Sequence, residues 1–240
     1  MNRFFDINDD IVLENKQYKV IDFLGKGSTC AAYLTELVDK GNIYHRILKE
    51  YNPDNVHVSR DENNSLIINN NEKSNYEKGL ALFKEAYDQQ CKMCITEQAG
   101  NTVPVTINCY ECYNTFYAEM EAAQGNNFME FLNHEMSIKR RLKACRAIAE
   151  VVSAYHKKNY LCLDIKPENV FVLDVPNNNV FVKYIDFNSI KKKQNIDDDY
   201  KIDSYLSCTP AWAAPEQVIS SEHRHILNIS LQLNTHGRRS

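Results

Sequence analysis

No stretch of the chain reaches the roughly 18 to 20 consecutive apolar residues of a membrane-spanning helix, so no spanning segment is expected. Clustered positive charge is missing too. Lys and Arg number 28 against 32 Asp and Glu, a net charge of -4 with a pI near 6.0. A nucleic-acid clamp needs such clusters to neutralise phosphates, which argues against a nucleic-acid partner. The one short basic run, Lys191-Lys192-Lys193, is countered by Asp197 to Asp199 and reads as a solvated loop. The opening Met1-Asn2-Arg3-Phe4-Phe5-Asp6 turns acidic before a secretion signal could build its apolar core, which points to a cytoplasmic protein. There the eight cysteines are expected as reduced thiols. What remains is an ordinary globular composition of 43% hydrophobic and 25% charged residues over 240 positions. That is enough for one large domain or two lobes with a real core.

Read in order, the chain changes character about halfway. Tyr18 to Leu24 alternates as a strand and runs into Gly25-Lys26-Gly27-Ser28-Thr29. Ala31 to Val38 follows, and Lys40-Gly41-Asn42 turns into Ile43 to Leu48, predicting three antiparallel strands. Residues 52–76 are polar and asparagine-rich and read as a flexible surface insertion. Leu80, Phe83, Tyr87, Cys91 and Cys94 then recur at helical spacing. Val103 to Cys109 and Thr115 to Met120 predict a further hairpin, and Gly125-Asn126-Asn127 interrupts the chain. Ser137 is placed to cap a helix with the apolar face Ile138, Leu142, Cys145, Ile148, Val152 and Tyr155. A β-rich half followed by a helical half predicts an α+β fold of two lobes around a ligand-binding cleft.

Chemistry concentrates in a few places. Gly25-x-Gly27, between two strands, lets backbone N–H groups approach phosphate oxygens, although taken alone those two residues are better explained by a plain hairpin turn. More specific is Leu161-Cys162-Leu163-Asp164-Ile165-Lys166-Pro167-Glu168-Asn169, followed by apolar Val170 to Leu173, a turn at Pro176 to Asn179, and Val180 to Ile185. Two strands joined by such a turn bring their open ends together. Those ends are Asn169 and Asp186, an amide oxygen and a carboxylate suited to a hard cation such as magnesium. Asp164, on the same loop as Asn169, can reach a hydroxyl aimed at a phosphate near that metal.

These residues resemble the eukaryotic-type protein kinase family. The H-R-D-x-K-x-x-N loop stands as Cys162-Leu163-Asp164-Ile165-Lys166-Pro167-Glu168-Asn169, D-F-G as Asp186-Phe187-Asn188, and A-P-E intact as Ala214-Pro215-Glu216. The V-A-I-K strand stands as Arg46-Ile47-Leu48-Lys49, with Glu85 as the matching helical carboxylate. The resemblance covers about Tyr18 to Gln217. It implies a bilobal fold: an ATP-binding lobe at 1–120, a hinge at 121–126, the catalytic part of an incomplete helical lobe at 127–217, and an atypical tail at 218–240. It also implies ATP and Mg2+ as cofactors and a protein substrate. Asp164 would orient the substrate hydroxyl and Lys166 the transferring phosphoryl group, while Asn169 and Asp186 hold magnesium. Gly25, Gly27, Lys49 and Glu85 would position the phosphates, and Glu121 to Ala123 the adenine, beside a gatekeeper-like Met120. Lys166 and Thr209 look like the serine/threonine-specific branch.

The pattern also has departures. Cys30 replaces the third loop glycine, Asn188 the glycine of D-F-G, and Cys162 and Leu163 the histidine and arginine before Asp164. Without that arginine no receiver for an activation-loop phosphate is evident. Few residues follow Gln217, so a truncated pseudokinase or nucleotide-binding regulatory module without transfer activity is the alternative, as is a partner that completes the lobe. Cys91-x-x-Cys94 and Cys109-x-x-Cys112 imitate a zinc ribbon, but Cys109 and Cys112 on one strand would point to opposite faces.

Overall fold

A computed structural model describes residues 3–94, 106–122, 125–135, 137–173, 180–185, 189–192, 209 and 211–214. It divides into two compact units, Met1–Gly125 and Asn126–Ser240.

The first unit is built on a six-stranded antiparallel sheet. Its strands are β1 (Asp10–Leu13), β2 (Lys16–Lys26), β3 (Cys30–Asp39) and β4 (Asn42–Tyr51). After β5 (Val58–Arg60), β6 (Leu66–Ile68) and helix α1 (Lys73–Cys94) come β7 (Thr106–Cys112) and β8 (Thr115–Glu121). The order across the sheet is β1-β2-β3-β4-β8-β7, with β5 and β6 pairing separately. Lys40 and Gly41, both at positive φ, close the β3–β4 hairpin between the paired Asp39 and Asn42. Two-residue loops favour that geometry because it matches the strands' twist.

Strand alternation gives this sheet two apolar faces. Tyr117 points into a cluster with Ile11, Leu13, Tyr18, Val20, Tyr33 and Leu48, closed by Phe5. Its neighbours Phe116, Ala118 and Met120 face a second cluster, where Tyr76, Phe83 and Tyr87 of α1 pack. Each such side chain, fully buried, contributes about 1.5–3 kcal/mol.

Residues 52–76 differ from the flexible loop their composition predicts. They hold the β5–β6 hairpin and the first turn of α1. Val56 and Leu66 are buried in the second cluster. The hairpin also delivers Arg60 to buried Glu50, with Arg60 Nη2 at 2.6 Å from Glu50 Oε2. Tyr33 donates to the same carboxylate at 3.1 Å and Tyr117 at 2.5 Å. A polar composition here marks a buried charge pair as well as a wet surface.

In the second unit, β9 (Asn126–Asn127) leads into α2 (Phe128–His134), which opens on a reciprocal capping box between Asn127 and Glu130. Helix α3 (Ile138–Lys157) follows. Beyond it lie β10 (Tyr160–Cys162), β11 (Val170–Leu173), β12 (Phe181–Tyr184) and β13 (Ile190–Lys192). Strand β11 pairs with both β12 and β9, and β10 pairs with β13.

Ser137 caps α3 as expected, accepting from the Arg140 N–H. The buried stripe differs from the expected face. Ala144, Val151 and Tyr155 are covered, whereas Ile138 and Leu142 are 73% and 65% exposed. Helical periodicity marks an apolar stripe, but which part is covered depends on the elements α3 meets, here β10 and β12. No helix among the described residues is long and apolar enough to cross a membrane.

Candidate active site

The site begins where β10 ends. Cys162 pairs with Ile190, and the next residue, Leu163, donates its N–H to the Ser189 carbonyl at 3.0 Å. The chain leaves the ladder at Asp164 and re-enters β11 through a single 3-10 turn, Pro167–Asn169. Proline at the start of that turn fixes φ where no N–H is needed. Asn169 closes the loop on itself. Its Nδ2 donates to the Asp164 carbonyl at 2.9 Å and to Asp164 Oδ2 at 3.1 Å.

Asp164 is therefore held on both carboxylate oxygens. Oδ1 accepts the main-chain N–H of Thr209 at 2.7 Å. Oδ2 lies 2.8 Å from Lys166 Nζ, which also donates to Thr209 Oγ1 at 2.8 Å. The Asp164 side chain is only 5% exposed. Burial acts to raise its carboxyl, but hydrogen bonds from Lys166 and Thr209, with the Lys166 charge, hold it below the usual carboxylate value. The result is an ionised carboxylate beside an ammonium and a hydroxyl, a pattern for orienting a substrate hydroxyl and meeting a negative phosphoryl group.

With Nδ2 of Asn169 committed to Asp164, its amide oxygen is the atom a hard cation would take. Strand pairing aligns Val170 with Tyr184, and Ile185 donates its N–H to the Asn169 carbonyl at 2.9 Å. The hairpin ends thus meet as the sequence predicts as far as Ile185; Asp186 lies outside the described residues, as do Ala123, Pro215 and Glu216. An oxygen donor on a rigid hairpin end fits magnesium, which takes few protein ligands and fills its shell with phosphates and water.

In the first unit, Gly25 adopts φ +125°, a conformation that requires glycine. The Gly27 N–H, expected to face a phosphate, instead donates to the Cys30 carbonyl at 2.8 Å and closes the β2–β3 hairpin. The carbonyls of Ser28 and Thr29 accept from the N–H groups of Asp54 and Asn52. Lys26 pairs with Asp54 at 2.6 Å, so the turn is fastened to the chain that follows β4. Lys49 is half-buried on β4, in register with Ala32 and Ala118. Glu85 is exposed on α1, and Glu121 ends β8 opposite Arg46.

Several features were not foreseen from sequence. Tyr184 Oη donates to the Asp164 carbonyl at 2.9 Å and lies 2.7 Å from Ser189 Oγ. A buried tyrosine in a strand reads as core, and nothing in its local pattern distinguishes this one. Burial pushes the Cys162 thiol up to about 12, so the cysteine in the histidine position of the family motif is a neutral, apolar filler. Cys109 and Cys112 point to opposite faces of the sheet, as strand alternation predicts. Cys109 packs against the α1 cluster, while Cys112 packs in the other cluster and contacts the Val12 carbonyl. Among the described residues no group of three or more His, Cys, Asp or Glu is placed to hold a metal ion.

The protein kinase domain family matches residues 18–229, and the chain belongs to that family. Solved kinase structures share its fold. The apo form of PpkA-294 superposes with a TM-score of 0.58 at 14% identity, covering 78% of this chain and 62% of its own. The BubR1 kinase domain gives a TM-score of 0.52 at 16% identity, with 77% and 50% covered. The chain thus spans between half and two thirds of those structures' length. A comparison with curated proteins finds no match.

Proposed function

We propose that the protein is an ATP-dependent kinase that transfers the γ-phosphate to serine or threonine hydroxyls of protein substrates in the cytoplasm. The observation that carries this reading is the joint hold on Asp164 by Lys166, Asn169 and Thr209. A carboxylate kept ionised below its ordinary range accepts a hydrogen bond from the substrate hydroxyl and takes its proton as that oxygen bonds to the γ-phosphorus and the bond to the departing ADP oxygen breaks. Lys166, already spanning Asp164 and Thr209, supplies positive charge to the transferring oxygens. Thr209 in that bridge supports the serine/threonine assignment.

Bound magnesium would neutralise phosphate charge and fix the nucleotide's geometry; Asn169 and Asp186 would hold it. Lys49, supported by Glu85, is the proposed ligand of the α- and β-phosphates. The Gly25 to Gly27 turn would cover them once the Gly27 bond to Cys30 opens. Glu121 and Ala123 would offer main-chain groups to adenine. Catalysis of this kind is positioning and electrostatics more than covalent chemistry.

The test is transfer of labelled phosphate from ATP to a basic Ser/Thr protein, with and without magnesium. Magnesium-dependent transfer supports the reading. Nucleotide binding without transfer favours a regulatory module, and a requirement for an added protein identifies an activating partner.

A further inference from the structure

The Asp164 carbonyl oxygen accepts two hydrogen bonds, from Asn169 Nδ2 and from Tyr184 Oη, each at 2.9 Å. Asn169 belongs to the family motif; Tyr184 does not. Tyr184 is 3% exposed and Ser189 1%. Since a phenol has one hydrogen and Tyr184 gives it to Asp164, Ser189 must donate in the 2.7 Å contact between the two hydroxyls. Ser189 also accepts the Leu163 N–H through its own carbonyl. The two buried hydroxyls and the Ser189 carbonyl therefore connect β12 and the residue following Asn188 to the Asp164 carbonyl and the Leu163 N–H. The Tyr155 ring meets Tyr184 edge-on, 6.4 Å between centroids, and supports its orientation. At Cys162 and Leu163, where the family motif carries histidine and arginine, the side chains are a neutral thiol and an aliphatic group.

We infer that Tyr184 and Ser189 are positioning residues that set the Asp164 peptide, and so aim its carboxylate, from the end of β12 and the start of β13. The inference rests on the kinase reading for its catalytic consequence, but the clamp itself is a property of the loop. An exposed hydroxyl pair would exchange with water and fix nothing; a buried one in a low-dielectric setting is directional. Occupation of both carbonyl lone pairs leaves that peptide a single orientation. Losing one bond frees it to rotate, and a displacement near 1 Å at a reacting group costs about 100-fold in rate.

The experiment compares Tyr184→Phe, Ser189→Ala, the double variant and Val182→Ala, a buried neighbour on β12 that carries no hydroxyl. Hydrogen exchange by mass spectrometry and steady-state kinetics are measured on each. Tyr184→Phe is expected to speed exchange in residues 161–169 while the first unit is unchanged. It should lower kcat by about 10- to 100-fold and leave KM for ATP within about twofold. Ser189→Ala should act in the same direction, and the double variant should add little, because the two hydroxyls work as one unit. Val182→Ala should lower stability and leave kcat of the folded protein intact. Unchanged exchange in Tyr184→Phe overturns the inference, as does an equal loss of kcat in Val182→Ala. A wild-type protein that transfers no phosphate defeats the kinase reading instead, and the exchange result then decides the clamp alone.

Discussion

The main-chain N–H of Thr209 donates to Asp164 Oδ1 at 2.7 Å across 45 residues of sequence. Thr209 thus reports on Asp164 twice, through its amide and, by way of its hydroxyl, through Lys166. Neither contact on the carboxylate can be removed without changing the charge balance felt by the other.

Lys166→Met removes the hydrogen bond and charge that help depress Asp164, so its carboxyl should titrate higher. The acid limb of the kcat/KM profile should move to higher pH, and kcat should fall by about 100-fold or more. Stability follows with a defined sign. A depressed carboxyl stabilises the fold above its unfolded value, and this is lost as pH falls through its lower folded value. Urea midpoints measured from pH 7 downward should therefore drop in the acid range more steeply for wild type than for Lys166→Met.

Arg60 and Glu50 are 4% and 0% exposed and satisfy one another inside the first unit. Arg60→Met leaves a buried carboxylate without its counter-ion and should cost about 3–5 kcal/mol in denaturant unfolding. Adding Glu50→Leu should recover a large part of that loss. If Arg60→Met unfolds at the wild-type midpoint, residues 52–76 contribute little to the fold.

The cysteines should separate by reactivity. Cys145 is exposed, whereas Cys162 and Cys109 are pushed up to about 12 and about 11 by burial. Brief alkylation of the native protein at pH 8, mapped by mass spectrometry, should label Cys145 and spare the other two. Labelling of Cys162 at a comparable rate would show that β10 opens readily.

Leu163 stands where an arginine would receive an activation-loop phosphate. Phosphatase treatment should leave the transfer rate within about twofold of the untreated sample, because an aliphatic side chain offers no charge-assisted partner for phosphate. A loss of activity would place the receiver elsewhere in the chain.

Much of the site was legible because its chemistry is local. Asp164, Lys166 and Asn169 lie within one short loop, and the two apolar runs Val170 to Leu173 and Val180 to Ile185 foretell the strand pairing that orients Asn169. Thr209 was readable only through the family resemblance, since no spacing rule carries across 45 residues. The Glu50–Arg60 pair was hidden because its energy depends on a hairpin folding back over the sheet, and polar residues 52–76 look alike whether wet or paired. Tyr184 was hidden for the opposite reason. Its apolar ring satisfies the strand pattern, and the hydroxyl that matters is silent in any hydropathy reading. In α3, Ile138 and Leu142 matched a helical stripe whose covering depends on neighbours that a linear pattern does not encode.

The most direct test is magnesium-dependent phosphate transfer by the purified protein, compared with Asp164→Ala at matched folding and nucleotide binding. The account predicts transfer by wild type that falls by orders of magnitude in the variant while ATP affinity is kept. Equal transfer by the two proteins, or none from a folded wild type that binds ATP, would contradict it.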